Sequence, residues 1–557
     1  MWRPIMNLNQ LMIVLQLFLI YWLVVILLDR KGILERLNIS AYGPVLMIRT
    51  KRGERSLERL ARGALRERFW RTYADIGTIL VVIAMIFMVV LVAYGTYATF
   101  ETHPEPTELN EPRNWLLIPG LNEFIPMLAW VGFVIALVVH ELAHAVLSTV
   151  EKIKVKSMGL LVALIPIGAF AEPDSEQLFG EKRKEEGKEQ SEAKERSETE
   201  PVKKKVATSH ERTRILAAGV TSNFCVAFIA FLVFFTILFS LQPVGENGVF
   251  VHAVAVGSPA EQLGIESELF ITLVDGSGVT SLEELNEALE EKEQVILTVV
   301  DKRGNARELA VNRAHERAGV MIVWVEEGLP AAKAGLHAGM RITRMDTMSI
   351  TTYEDFRMFM DSTKPAQVIE VQTDEKTVVV ELIKSPYGDK GYLGVLVTNN
   401  PLGMVVAEFP AGEYLDGLRS IPSSFMTLSP RQWLNSWLWL TIMPITPPPT
   451  GFGGFHPLLV HLYEPVGAAS SLFGGSIFWI ADVIFWVGWI NFYVGLFNCL
   501  PALPLDGGYV FKEMLNPILR GIKEAERKEK IARAIASLIA FLIFSSIFFM
   551  LAGPYLL

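Results

Sequence analysis

Cysteine is scarce in this sequence: only Cys225 and Cys499 occur among 557 residues, and both lie in apolar segments. A disulfide-stapled ectodomain and a zinc site built from cysteine ligands are therefore excluded. Charge is limited too, since charged residues make up 20% of the chain and the net charge is −9. The charges are concentrated in short runs, and their modest balance does not favour nucleic acid as a partner.

Apolar residues, in contrast, make up 51% of the chain, and the mean hydropathy of +0.34 is too high for an ordinary soluble protein. A transmembrane helix needs about twenty consecutive apolar residues. Six stretches meet this length: residues 11–28, 77–98, 124–150, 215–241, 476–500 and 531–557. The sequence therefore predicts a multi-span α-helical membrane protein with about six transmembrane helices.

The basic loops predict the orientation of these helices, because cytoplasmic loops are enriched in Lys and Arg. Residues 30–71 hold twelve basic residues, whereas residues 101–113 hold one basic residue and four glutamates. The first loop is expected in the cytoplasm, and residues 242–475 outside it. The first span lacks a small-residue cleavage site, so we interpret it as an anchor and not as a removed signal peptide.

The external segment contains an internal repeat with a period of 71 residues. "GVFVHAVAVGSPAEQLGIESELFITLVDG" starts at Gly248, and "GVMIVWVEEGLPAAKAGLHAGMRITRMDT" starts at Gly319 and aligns with it without a gap. Each copy alternates short β-branched runs with a helix, which predicts a duplicated small α+β module. Both copies resemble PDZ domains, and this resemblance implies that they bind an extended peptide or a protein terminus at a sheet edge.

The motif His-Glu-x-x-His occurs inside an apolar span, at His140, Glu141 and His144. Ionisable groups at membrane depth are costly unless they are paired or bound. The two histidines are four residues apart and share one helix face, so both imidazoles can coordinate one zinc ion. Glu141 is placed beside them to take a proton from the attacking water. The alternative is a pair of core histidines with a hydrogen-bonded glutamate.

A catalytic zinc ion takes three protein ligands, so a third ligand must come from elsewhere. "NCLPALPLDGG" follows a later span, and Asp506 is its acidic residue. Pro501 and Pro504 break the helix there, and irregular backbone at membrane depth is tolerated where it lines a protein cavity. The predicted topology puts Asp506 and the two histidines at the cytoplasmic ends of their spans, so we expect Asp506 to be the third ligand.

These motifs and the external modules together resemble the site-2 protease family of intramembrane zinc metalloproteases. The resemblance places one catalytic Zn²⁺ on His140, His144 and Asp506, with Glu141 as the catalytic base. The segment "RTRILAAGVTSNF" is similar to the opening of the family's middle core helix, although Val220 stands where the family has proline. The resemblance assigns substrate binding or transition-state support to four further residues: Asn223, Asn498, Gly168 and Phe170.

Gly168 and Phe170 belong to "MGLLVALIPIGAFAEPD", which resembles the family's membrane-inserted hairpin. An edge of that hairpin is implied to pair with an unwound substrate strand, since a helical substrate hides its peptide bonds. A plain structural hairpin is the alternative.

The chain accordingly divides into seven segments. Residues 1–100 form two transmembrane helices with a basic cytoplasmic loop, and residues 115–242 form the first part of the catalytic core. Residues 248–315 and 317–398 are the PDZ-like modules, and residues 402–470 are a Pro- and Trp-rich interfacial linker. Residues 471–510 form the second part of the core, and residues 511–557 form a basic loop with the last span. Residues 180–205 are a mixed-charge, low-complexity run that we interpret as a solvated insert.

The resulting hypothesis is a multi-pass protein of a prokaryotic cell membrane, with external modules and an active site near the cytoplasmic side. Its expected partners are membrane lipid, peptide or protein termini at the modules, and membrane-protein substrates already trimmed by another protease. Two alternatives remain open: a non-catalytic PDZ scaffold or chaperone, and a metal transporter.

Overall fold

The computed structural model describes residues 8–36, 39–50, 54–163, 165–180, 205–245, 247–267, 269–279, 281–301, 305–312, 318–386, 388–426, 429–446, 448, 450–455 and 457–556. Most of the predicted charged insert, residues 181–204, lies outside these ranges. The chain forms two compact units, Met1–Phe234 with Asp482–Leu557, and Phe235–Ala481.

The first part of the chain runs from α1 to α7. Its elements are α1 Leu8–Arg30, α2 Ile33–Arg36, β1 Ile39–Tyr42, β2 Val45–Thr50, α3 Glu54–Ala61, α4 Ala64–Thr102, α5 Trp130–Val150, β3 Val155–Ala163, β4 Ile165–Pro173, α6 Ser175–Phe179 and α7 Ser209–Leu238.

The middle part contains most of the strands. Its elements are β5 Leu241–Pro243, β6 Gly248–Val254, α8 Pro259–Gln262, β7 Leu269–Val274, β8 Ser277–Gly278, α9 Leu282–Glu291, β9 Gln294–Val300, β10 Ala306–Asn312, β11 Val320–Val325, α10 Pro330–Lys333, β12 Arg341–Met345, β13 Met348–Ser349, α11 Tyr353–Ser362, β14 Val368–Thr373, β15 Thr377–Glu381, β16 Ile383–Lys384, β17 Gly391–Tyr392, β18 Val395–Thr398, β19 Met404–Phe409, α12 Ala411–Ser424, α13 Pro430–Ile442, α14 Pro457–Val460, β20 Tyr463–Pro465 and α15 Ala468–Phe473. The chain ends with α16 Ser476–Asn498, α17 Asp506–Ile518 and α18 Ala525–Leu556.

Among the described residues, five helices are long and apolar enough to cross a membrane: Ala64–Thr102, Met127–Val150, Ser209–Leu238, Ser476–Asn498 and Glu526–Leu556. They coincide with five of the six predicted spans. Helix α1 lies over the first predicted span, and a count of six stays a prediction. The chain is thus a membrane protein that also contains β-sheet regions.

Small residues let the core helices of the first unit pack closely. A Cβ atom at Gly132 of α5 would lie 2.6 Å from the carbonyl oxygen of Trp486 on α16, and one at Gly495 of α16 would lie 2.7 Å from the Phe224 ring on α7. Backbones approach this closely only where a side chain is missing. Helices α5, α7 and α16 are therefore held side by side.

The predicted hairpin is formed by β3 and β4, and it belongs to a larger antiparallel sheet in the order β1-β2-β3-β4. Strands β1 and β2 come from the basic loop, and β2 pairs with β3 from Leu46↔Val162 to Thr50↔Met158. One edge of the hairpin is therefore already occupied, and β4 forms an end of the sheet. Its insertion into the membrane stays a prediction.

The two repeated modules form two sheets of the second unit, with strand orders β10-β9-β7-β6-β19 and β15-β14-β12-β11-β18. The end strand of the first sheet, β19, lies beyond the predicted range 248–315 and pairs with β6 from Met404↔Val254 to Phe409↔Gly248. The second module is thus inserted between the strands of the first. Leu402 and Met404 are buried in the first module's core, which explains why this strand returns to it.

Residues 402–470, predicted as an interfacial linker, contain regular structure. Besides β19 they form α12, α13, α14 and β20, and the buried hydroxyl of Tyr414 donates a 2.7 Å hydrogen bond to the carbonyl of Gly451. Helix α13 exposes Trp433 and Leu434, each 43% accessible. Their contact with the lipid interface stays a prediction.

Candidate metal centre

Helix α5 presents His140 and His144 on one face, because residues four apart in a helix lie above one another. Their Nε2 atoms are 3.2 Å apart. Oδ2 of Asp506, the first residue of α17, lies 2.9 Å from Nε2 of His140 and 3.2 Å from Nε2 of His144. All three ligand atoms lie within 4.8 Å of one another, so one metal ion could be bound by all three residues.

The two glycines after Asp506 bring the start of α17 against the preceding turn. A Cβ atom at Gly507 would lie 2.4 Å from the carbonyl oxygen of Cys499, and one at Gly508 would lie 2.5 Å from the carbonyl carbon of Ala502. Larger residues would push the helix away from this turn. In the motif Asp-Gly-Gly, the two glycines therefore allow the close packing that fixes the position of the Asp506 carboxylate.

Helix α7 forms the wall behind both histidines through Ile215, Gly219 and Asn223, which share one face because they are spaced by four residues. Nδ1 of His144 lies 2.7 Å from the carbonyl oxygen of Ile215. A carbonyl only accepts, so Nδ1 carries the proton and Nε2 keeps its lone pair for a metal. The role of Ile215 has no signal in the sequence, because the group involved is its backbone carbonyl.

Gly219 provides the space beside the ligand atoms. A Cβ atom at this position would lie 2.6 Å from Nε2 of His144 and 2.7 Å from Nε2 of His140. The absent side chain leaves room where a metal would meet the imidazoles. Gly219 is not among the predicted site residues, because the feature involved is the absence of a side chain.

Asn223 is fully buried, and its Nδ2 lies 3.3 Å from Nδ1 of His140. Its Oδ1 has no hydrogen-bond partner among the described residues. A half-turn of the amide places Oδ1 on a protonated Nδ1, which satisfies this oxygen and frees Nε2 of His140 for a metal. In this orientation Asn223 would hold His140 as a metal ligand, and its predicted role toward substrate stays a prediction.

Two imidazoles and one carboxylate are a donor set typical of catalytic zinc, which keeps a further position open. The protonated Nδ1 of His144 and the space at Gly219 are both suited to such an ion. The residues present therefore fit zinc.

Glu141 is held apart from this donor set. Its Oε2 accepts a 2.7 Å hydrogen bond from the backbone N–H of Ala171 on β4, and it is not a member of the group that could hold a metal. Its placement suits a proton acceptor beside a metal better than a ligand. This hydrogen bond also joins β4 to α5.

The other predicted substrate residues make contacts elsewhere. Nδ2 of Asn498 donates to the carbonyl of Val494 in its own helix, at 3.0 Å. Gly168 and Phe170 pair with Leu161 and Gly159 of β3. None of these contacts involves the metal-ligating residues, and a role of the three residues toward substrate stays a prediction.

Ion pairs, one of them buried, join the helices that carry the candidate metal ligands. Arg212 of α7 donates through Nε and Nη2 to Glu513 of α17, at 2.8 and 3.1 Å, and the Glu513 side chain is 8% exposed. Arg214 of α7 donates to Asp75 of α4, twice at 2.6 Å, and to Glu151 at the end of α5, at 3.1 Å. Helices α4, α5 and α17 are therefore each bonded to α7.

Comparison with known proteins gives two kinds of match. The family profile described as peptidase family M50 matches residues 128–543, a range that contains all three donors and both repeated modules. A Pasteurella multocida protein named as a candidate zinc metalloprotease is 23% identical over 354 residues, which cover 59% of this chain and 75% of that protein. An uncharacterized protein of Methanocaldococcus jannaschii is 28% identical over 184 residues, 32% of this chain and 46% of that protein. The match thus spans about half the length of this second relative.

Proposed function

Because this chain belongs to peptidase family M50, we propose that it hydrolyses peptide bonds in or near transmembrane segments of other membrane proteins. Membership makes it a membrane metallopeptidase that uses zinc. The observation that carries the proposal is the cluster of His140, His144 and Asp506 within 4.8 Å, placed on or next to helices that are long enough to cross a membrane. A substrate helix could reach the cluster from within the bilayer.

Each residue of the centre has a distinct task in this proposal. His140, His144 and Asp506 would hold zinc, which when bound polarises the scissile carbonyl and makes water a better nucleophile. Glu141 takes the proton from the attacking water and delivers it to the leaving amine. The N–H of Ala171 fixes the orientation of the Glu141 carboxylate, because it donates a hydrogen bond to one of its two oxygens.

The outer edge of β4 is the proposed site for the unwound substrate. Strand β3 is paired on both sides, with β2 and β4, whereas β4 directs the N–H of Ala171 toward Glu141. An extended chain added along this edge would gain backbone hydrogen bonds and would lie next to the proposed base. This placement would deliver a peptide bond to the centre in the extended form that hydrolysis needs.

The second repeated module is the proposed peptide-binding module. A cavity of about 190 Å³ lies between α11 and the strands β17 and β18, lined among others by Tyr353, Phe356, Met360 and Val395. In the first module the corresponding space is bridged: Glu408 of β19 accepts from the N–H of Leu282 at 2.5 Å, and Asn400 donates to Asn286 at 3.0 Å. An extended peptide terminus fits the open groove.

The proposed setting is regulated proteolysis, in which another protease first cuts the substrate outside the membrane. Peptide-binding modules outside the membrane would suit such a pathway. In this proposal they act as a filter that admits only trimmed substrates. The nested topology offers a test, since excising residues 319–398 removes the second module and leaves β6 and β19 of the first. We expect this variant to cleave untrimmed substrates, and an unchanged substrate range would contradict the filter.

The main proposal is tested with the variant Glu141→Gln in reconstituted membranes. Glutamine can still accept from Ala171, so the variant should retain zinc and its fold. We expect its cleavage of a model transmembrane substrate to fall by about two to four orders of magnitude. Undiminished cleavage would contradict the assignment. Zinc flux into liposomes would instead support a transporter, and a protein that holds no zinc would support a scaffold.

A further inference from the structure

A cavity of about 680 Å³ lies where α3 meets the end of α5 and the start of β3. Leu57, Glu58 and Arg62 line it from α3 and the residue after it, and Thr149, Val150 and residues 152–158 line it from the core. None of the metal-ligating residues lines this cavity, and neither does Glu141. Helix α3 also lies outside the range 128–543 that the family profile matches, so this cavity is formed in part by a segment outside that match.

The cavity is rich in positive charge. Four basic residues line it, Arg62, Lys152, Lys154 and Lys156, against the carboxylates of Glu58 and Glu67. Arg62 pairs with Glu58 at 2.9 Å, and Lys156 lies 3.6 Å from Asp174. Among the described residues, Lys152 and Lys154 have no carboxylate partner. Both are exposed, and they are free to bind an anion.

The inner wall of the cavity is apolar. Val155 and Met158 are half-buried and provide its surface, and Leu57, Val150 and Ile153, each at most 4% exposed, pack behind them in the core. A cationic rim above an apolar wall suits a ligand that carries a phosphate and a hydrocarbon part. A small hydrated anion would use the rim alone.

The position of the cavity identifies the source of such a ligand. The apolar helix that contains α5 is long enough to cross a membrane and ends at Val150, which would place Lys152 and Lys154 at the level of lipid headgroups. Basic residues next to a span attract anionic lipids. We propose that this cavity is a binding site for one anionic phospholipid, with its phosphate on Lys152 and Lys154 and an acyl chain along the apolar wall.

This lipid would contact α5, which carries Glu141 and both histidines, and β3, which is paired with β4. Val150 follows His144 by less than two turns of α5, and β3 pairs with β4, whose Ala171 binds Glu141. The site is nevertheless separate from the metal centre, so lipid binding can be tested whether or not the proteolytic function holds.

The test compares two double variants of the full-length chain in a non-ionic detergent. Lys152→Gln with Lys154→Gln removes the free cations of the cavity. Lys523→Gln with Arg527→Gln removes two exposed cations, one just before α18 and one in its first turn, and is the matched control. Native mass spectrometry then measures retention of dioleoyl-phosphatidylglycerol or dioleoyl-phosphatidylcholine, each alone and with excess inorganic phosphate.

We expect the unmodified chain and the control variant to retain one phosphatidylglycerol, and the cavity variant to bind it about thirty-fold more weakly, since each lysine contributes a factor of about five to six. Phosphatidylcholine should not be retained. Equal loss of phosphatidylglycerol in both variants, or none in either, would overturn the proposal. Complete displacement by inorganic phosphate would identify a plain phosphate site and also overturn it. Zinc content shows that both variants are folded.

Discussion

The carbonyl oxygen of Ile215 accepts a 2.7 Å hydrogen bond from Nδ1 of His144, and this contact makes α7 part of the metal centre. Ile215 is four residues from Gly219, whose missing side chain lets the imidazole approach the helix. Asn223, four residues further, contacts the other histidine. One face of α7 therefore sets the orientation of both histidines.

The first prediction concerns the space at Gly219. In Gly219→Ala the added methyl group meets both imidazoles, so we expect zinc affinity to fall by about ten- to a hundred-fold, as for other changes next to metal ligands. Zinc titration against a competing chelator measures this change. Gly417→Ala in α12 is the control, because a Cβ atom there meets nothing within 4 Å. It should leave zinc affinity unchanged and stabilise the helix by up to about 1 kcal/mol.

The second prediction concerns the buried pair that joins α7 to α17. Glu513→Ala leaves the guanidinium of Arg212 without its carboxylate, which should lower the free energy of unfolding by about 3–5 kcal/mol. Thermal unfolding in detergent measures this loss, and zinc retention should fall with it because Asp506 begins the same helix. Glu526→Ala is the control, since its pair with Lys530 is 73% and 74% exposed and contributes little to stability. Equal effects of both variants would contradict the role of the buried pair.

The third prediction distinguishes the two modules. Tyr353 lines the open groove of the second module, and the 71-residue period places Leu282 at the matching position of the first. Tyr353→Glu should abolish binding of a fluorescent peptide with a free carboxyl terminus, measured by polarisation on the full chain. Leu282→Glu should leave binding unchanged. Loss of binding in both variants, or only in the second, would contradict assignment of peptide binding to the second module.

The fourth prediction concerns pH and the start of α11. Hydrogen bonds from the side chain and backbone of Thr351, and from the backbone of Thr352, lower the pKa of Asp355 from 3.8 to about 2. A carboxylate with a lowered pKa stabilises the folded state fully above its unfolded value, and this contribution is lost as the pH falls through about 2. Asp355→Asn should therefore lower the unfolding temperature of the second module at neutral pH, and the difference from the unmodified chain should vanish below pH 2.

Glu354→Gln is the control for this pH dependence, because Glu354 is exposed and its one ion pair among the described residues is with the exposed Arg357. Its unfolding temperature should stay close to that of the unmodified chain at every pH. A pH-independent deficit in Asp355→Asn would show that the carboxylate charge is not what stabilises this helix start.

Sequence patterns alone were informative wherever the physics is local. A spacing of four residues places His140 and His144 on one helix face, whatever surrounds the helix. Apolar run length located five helices that the structure describes as long enough to span a membrane, and the 71-residue period located the two modules. The substrate roles of Asn498, Gly168 and Phe170 came from resemblance alone, and the local contacts of these residues neither support nor exclude them.

Tertiary structure decided what depends on distant segments. Asp506 contacts His144 although 362 positions separate them in the sequence. The predicted topology placed both residues at a similar depth in the membrane, but it could not predict that their side chains are in contact. Strand β19 returns to the first module because Leu402 and Met404 are buried in that module's core. The 71-residue period does not predict this packing. The backbone carbonyl of Ile215 and the empty space at Gly219 have no side-chain signature at all. Local sequence patterns thus determined which helices carry the candidate metal ligands and which chemistry those residues can perform. Only tertiary packing determined that one face of α7 orients the two histidines and that the groove of the second module stays open.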